Sequence, residues 1–294
     1  MRGYSIASLV VLLLLALTIP ACQSPVSSTS DYVDAYLHVR ASWSPDGKTI
    51  AFTSAVQNAT GIYVMDTLGG NIRQVIAGTG VGANWSPDGK WIAFSQDGIL
   101  YKIKPTGDSL TKLTDVANAI RPAWSPDGSK IAFVQTSPGF GIWVYDVVKG
   151  TATMMLTYGD FPTWNRQTKE LVILNAQFDQ SSGYVYYSFI AVDSAFATTR
   201  SLGAFTTIAD IGFSPINPAG NKIAFGVKSP TDYAEVWIFD LVARTITQIT
   251  TDGGDYPSWS PDGTRIIYTR TQPGDGGLWI MGSDGSNKRR VTKP

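Results

Sequence analysis

Four copies of Trp-Ser-Pro-Asp-Gly, two worn copies between the third and the last, and a repeat interval of 39 to 49 residues predict an all-β chain. That interval is the length of a four-stranded blade, so the expected fold is a six-bladed β-propeller of four-stranded antiparallel blades. The intact copies start at Trp43, Trp85, Trp124 and Trp259. The worn ones are Trp164-Asn165-Arg166-Gln167, leading into Leu171-Val172-Ile173, and Phe213-Ser214-Pro215, leading into Ile223-Ala224-Phe225.

Each copy opens on a first strand that ends at the motif aromatic. Proline then supplies φ near −65°, aspartate can bond its own backbone, and glycine takes the left-handed position that closes the hairpin. The second strand follows at once. In Lys130-Ile131-Ala132-Phe133 a period of two puts Ile131 and Phe133 on one face and Ala132 on the other. Both faces are apolar, so each sheet must be sandwiched, and the alternation of small and large recurs in Ile50-Ala51-Phe52, Ile92-Ala93-Phe94 and Ile223-Ala224-Phe225. Third strands are expected at 62–66, 99–103, 142–146, 185–192, 236–240 and 278–281, rich in aromatic and branched residues. Short fourth strands follow at 112–114, 248–250 and 290–292. No helical period of useful length appears after residue 30.

The start of the chain bears on compartment. Arg2 is the only charged residue before position 31, and residues 6–19 are apolar except Ser8 and Thr18, the layout of a secretory signal and too short for a membrane span. Ile19-Pro20-Ala21-Cys22 resembles the bacterial lipobox, which implies lipidation of Cys22, the sole cysteine. The chain thus divides into a lipoprotein signal at 1–21, a tether at 22–30 and a propeller at 31–294. Gln23 after the cysteine resembles lipoproteins sent to the outer membrane of a diderm envelope. A single cysteine excludes an intramolecular disulfide, so the fold rests on its core. Removing 1–21 from 294 residues leaves 273, with 22 basic and 23 acidic side chains. That balance gives no footprint for nucleic acid.

The repeat, Trp-Ser-Pro-Asp-Gly followed by Lys-Ile-Ala-Phe, resembles the WD40-like repeat of the TolB propeller and its relatives, over residues 40–292. The resemblance implies a binding scaffold in the cell envelope. TolB itself carries an α/β domain before its propeller and only residues 31–39 precede the first blade here, so its particular partner is not transferred. Peptidases with similar propellers carry a Gly-x-Ser-x-Gly elbow, which is absent, and His38 is the only histidine. Propeller lyases hold a metal with several histidines, a set this chain lacks. We expect no catalytic residues, no cofactor and no metal site of that type; whether calcium binds is left open. Asp284-Gly285-Ser286-Asn287 and Asp252-Gly253-Gly254-Asp255 read as turns and lack a full calcium loop.

The Pro-Asp-Gly hairpins and the turns between third and fourth strands share one face and repeat themselves. Loops 54–61, 135–141, 175–183 and 269–277 share the other face and vary. Binding residues concentrate on loops held by a rigid frame, so a ligand or partner belongs on the variable face. The residue three before each aromatic enters the inner strand near the channel mouth: Arg40, Gly82, Arg121, Phe161, Asp210 and Tyr256. Arginine suits carboxylates, and an adjacent aromatic suits a peptide side chain or a sugar face. The favoured function is a non-catalytic lipoprotein binding an envelope protein, with its membrane contact through the N-terminal lipid. A glycan- or small-ligand-binding lipoprotein is the alternative, and a carboxylate enzyme using Asp160, Asp210 or Asp255 is a third. Two ring closures are open, a blade six complete by itself or one that borrows residues 31–39 as an added strand, and the borrowed strand is favoured.

Overall fold

The computed structural model describes residues 38–56, 59–207, 210–212, 215–228, 233–270, 272 and 274–292. Signal, tether and Cys22 lie outside these residues. Among the described residues every regular element is a strand, and the strands form six four-stranded sheets in which sequence neighbours pair antiparallel. Blade one is His38–Trp43, Thr49–Val56, Ala59–Asp66 and Arg73–Ala77; blade two is Val81–Trp85, Ile92–Gln96, Ile99–Ile103 and Thr111–Lys112. Blade three is Ala119–Trp124, Lys130–Gln135, Gly141–Asp146 and Thr151–Leu156; blade four is Asp160–Trp164, Leu171–Phe178, Val185–Val192 and Thr199–Thr207. Blade five is Asp210–Ile211, Lys222–Lys228, Ala234–Asp240 and Thr245–Gln248; blade six is Asp255–Trp259, Arg265–Arg270, Gly277–Gly282 and Arg289–Arg290.

The alternation in the second strands assembles the ring. Ala51 of blade one packs with Ile92 and Phe94 of blade two, Ala93 with Ile131 and Phe133, and Ala132 with Leu171 and Ile173. Val172 meets Ile223 and Phe225, Ala224 meets Ile266 and Tyr268, and Ile267 returns to Ile50 and Phe52. In blades one, two, three and five a small alanine thus receives the bulky pair of the next blade, and blades four and six place Val172 and Ile267 there; this interlocking is how twisted sheets stack face to face without voids. Between blades four and five Val172 is joined by an aromatic cluster, with Phe189, Phe205 and Phe225 rings 5.5 to 5.9 Å apart.

The hairpins explain the serine of the motif as well as its proline and glycine. Ser125 Oγ donates to Asp127 Oδ1 at 2.7 Å and accepts the Lys130 amide at 2.9 Å, while Gly128 sits at φ 73°. Ser44, Ser86 and Ser260 repeat this pattern. In blade five the equivalent group is Asn217, whose amide donates to Lys222 O and whose side chain accepts the Lys222 amide, and the bridge Ile216–Ile223 matches the pairing of Trp43 with Ile50. The motif of blade five is therefore Ile216-Asn217-Pro218-Ala219-Gly220. Phe213-Ser214-Pro215 resembles the motif more closely in letters but lies three residues too early.

Of the two closures open to the sequence, the described residues show a blade six with four strands of its own, not the favoured borrowed strand at 38–39. The sixth sheet takes all four strands from 255–290, and His38 and Val39 pair with Ser54 and Thr53 in blade one. Residues 31–37 lie outside the described residues. Blade six meets blade one face to face, with Trp43 Nε1 donating to Ser258 O at 3.2 Å and Arg289 Nη2 donating to Thr67 O at 2.6 Å.

Candidate functional site

The inner strands line a central channel. Toward the variable face its mouth is a chamber of about 110 Å³, lined by Arg40, Gly82, Arg121, Phe161 and Tyr256, with Pro122, Pro215 and the small residues below them. Five of the six positions read from the repeat therefore do converge. Each of the five sits at a break in the ladder to the second strand, and each has positive φ: 52°, 73°, 56°, 49° and 49° in blade order one, two, three, four and six. Only Gly82 adopts that conformation without cost; four non-glycine residues are held there by the surrounding sheet. The bulge turns these side chains out of the blade stack and into the mouth.

Asp210 is a correction. It lies at the start of the inner strand of blade five, opposite Lys228, and Gly212 pairs with Gly226 as Val39 does with Thr53. With Ile216 as the motif residue, the position three before it is Phe213, which lies outside the described residues. The error follows directly from the misleading Phe-Ser-Pro string.

Charge and aromatic character are segregated around the mouth. Blades one to three contribute Arg40, Gly82 and Arg121; blades four and six contribute Phe161 and Tyr256. Arg121 Nη1 donates to both carboxylate oxygens of Asp160, at 2.6 and 2.7 Å, and its guanidinium lies 4.0 Å from the Phe161 ring centre. Burial lowers the Arg121 pKa despite Asp160, with Arg40 adding repulsion, and its Nε has no hydrogen-bond partner. Arg40 lies 5.0 Å above the Tyr256 ring. Each arginine is thus stacked on the ring of an adjacent blade, a geometry that orients the donors and holds the charge at low dielectric.

Two aspartates hold the bulges in place. Asp160 Oδ1 accepts the Phe161 amide and Asp255 Oδ1 accepts the Tyr256 amide, both at 2.7 Å. Gly212 and Gly226 make room for Asp255: a Cβ on either would lie 2.4 or 2.1 Å from its Oδ1. Burial in this cradle pushes the Asp255 carboxyl up, opposed by that amide and by the charges of Arg40 and Lys228. Both carboxylates are engaged in building the mouth, each accepting the amide of the bulge residue that follows it. The turn aspartates behave likewise: Asp284 accepts from Ser286, and Asp252 pairs with Lys288 at 2.6 Å. Among the described residues no cluster of histidine, cysteine and acidic side chains could hold a metal.

Below the mouth lies a ring the sequence reading passed over. Ser42, Asn84, Thr163 and Ser258, each one residue before the motif aromatic, line both this chamber and the one beyond it. Their signal was present in the repeat, as a small or polar residue beside the tryptophan.

Six sandwiched blades around a channel with one elaborated mouth define the class: a six-bladed β-propeller whose scaffold presents binding groups on one face. The family described as the TolB beta propeller domain matches residues 34–165, and the chain is a TolB-like propeller. It is similar in structure to TolB from Acinetobacter baumannii (TM-score 0.63, 19% identity, 86% of this chain and 62% of that chain). A putative TolB from Agrobacterium tumefaciens is similar over 75% of this chain and 84% of its own (TM-score 0.62, 20% identity). An oligogalacturonate lyase from Vibrio parahaemolyticus is similar over 83% and 90% (TM-score 0.57, 10% identity). The chain spans less than two thirds of the Acinetobacter protein. These likenesses establish the fold and leave the role to the site.

Proposed function

We propose that this is a non-catalytic binding propeller of the bacterial cell envelope, anchored by lipid at Cys22, that engages a protein partner through the mouth formed by Arg40, Arg121, Phe161 and Tyr256. The observation that carries the reading is the divided mouth. Two guanidiniums, one with no hydrogen-bond acceptor among the described residues and one with a free Nε, lie stacked on two aromatic rings around a narrow opening. Such a surface accepts a carboxylate on one side and an apolar or aromatic side chain on the other, the mixture that a peptide segment offers. The TolB-like fold supports a binding role in general, and engagement of Asp160 and Asp255 argues against the carboxylate-enzyme alternative.

The test is affinity capture from detergent-solubilised envelope, with the mature domain as bait. The control is Arg40→Gln with Tyr256→Ala, which breaks no hydrogen bond of the Arg40 side chain and leaves Asp160 paired. One envelope protein retained by the native bait and lost with the control supports the reading, provided both melt at the same temperature. Equal retention by both would refute the placement. Retention of no protein would shift the reading to a glycan or small anion at the same mouth.

A further inference from the structure

The other end of the channel carries a second chamber, of about 140 Å³, walled by the motif tryptophans and prolines. A buried water occupies roughly 10–15 Å³ on this measure, so the chamber has room for a small solute. Among the described residues that line it, Arg166 is the only charged one. It stands where blades one, two, three, five and six place Pro45, Pro87, Pro126, Pro218 and Pro261.

Three independent features single it out. Arg166 makes no hydrogen bond or ion pair among the described residues, although ten other ion pairs are formed. The motif aspartate is absent from its sector: Asp46, Asp88, Asp127 and Asp262 occupy that position elsewhere, whereas blade four has Gln167 and blade five has Ala219. Its turn is pinned on both sides, since Asn165 Nδ2 and Gln167 Nε2 donate to Gly220 O and Pro218 O of blade five at 3.4 and 3.1 Å. Arg166 is exposed at the rim of the chamber, where desolvation lowers its pKa and no acid opposes the shift. Deeper in, Ser42 Oγ on the channel wall is buried without a partner.

We propose that this turn-face chamber is a second binding site, for a small carboxylate or oxyanion held by Arg166. An unpaired guanidinium with five donors at the rim of a walled cavity is matched by an anion whose oxygens accept those donors in parallel. The site is separate from the variable-face mouth and does not depend on the function proposed for it.

Five tryptophans border the chamber, so their emission reports occupancy directly. The mature domain would be titrated with inorganic phosphate, and separately with acetate, at constant ionic strength. We expect saturable changes in emission and a rise in melting temperature. Arg166→Gln should weaken the apparent affinity at least about tenfold, Arg166→Lys should keep part of it, and Arg40→Gln with Tyr256→Ala should keep all of it. Arg166→Gln is a surface-turn change that preserves the bonds of Asn165 and Gln167, and its unchanged melting temperature without anion confirms folding. An unsaturable response, or one identical in Arg166→Gln, would overturn the assignment. Loss in the Arg40, Tyr256 variant alone would place the anion at the other mouth and overturn it equally.

Discussion

Replacing Asp127 by alanine tests the account of the repeated hairpin. Its carboxylate accepts the Ser125 hydroxyl, the Ser129 amide and the Ser129 hydroxyl at 2.7, 3.0 and 2.9 Å. These bonds, that of Ser125 foremost, lower its pKa from 3.8 to about 2. At full strength such a change corresponds to roughly 2.4 kcal/mol, and solvent screening of this exposed side chain reduces it to about 1 kcal/mol. The folded pKa lies below the unfolded one, so the stabilisation is fully present above about pH 4 and is lost as pH falls through about 2. Asp127→Ala should therefore lower the urea midpoint near neutral pH, and the gap from the native protein should close as pH approaches about 2. Urea unfolding followed by tryptophan emission across that range is the assay. A gap that stays constant with pH would show that the carboxylate's charge does not stabilise the turn.

Phe189 is fully buried among Phe205, Phe225 and Phe239, so Phe189→Ala should cost about 3–5 kcal/mol in denaturant unfolding. Phe178, 64% exposed at the end of the second strand of blade four, should cost less than about 0.5 kcal/mol by the same measurement. A Cβ at Gly203 would stand 2.2 Å from Phe239 Cε1, so Gly203→Ala should destabilise by roughly 1–3 kcal/mol, visible as a lower melting temperature. Cys22→Ser should move the protein from the membrane fraction to the soluble fraction and abolish incorporation of labelled palmitate; membrane retention would count against the lipid anchor.

The blades were legible because each depends on local chemistry that repeats. Proline, aspartate and glycine fix the hairpin, and Ile-Ala-Phe fixes which face is bulky, with no reference to the rest of the chain. Where the local signal wore out, so did the reading. Blade five offers two plausible turns within eight residues: Phe213-Ser214-Pro215 keeps the lettering, while Ile216-Asn217-Pro218-Ala219-Gly220 keeps the hydrogen bonds. Asp210 rested on the lettering, whereas Arg40, Arg121, Phe161 and Tyr256 rested on copies with a sound tryptophan and were found together.

Position in the repeat, then, was determined by the sequence alone: six blades, their small-against-large packing and the ring from which most of the mouth is drawn. What the side chains do once there was decided by the tertiary structure. The left-handed bulge that aims them, the stacking of Arg121 on Phe161 and of Arg40 on Tyr256, and the isolation of Arg166 all arise between blades. The cause is geometric. A hairpin forms within about ten residues, but a channel exists only when six distant segments close a ring, and its chemistry belongs to neighbours that lie some forty residues apart or, at the closure, at opposite ends of the chain.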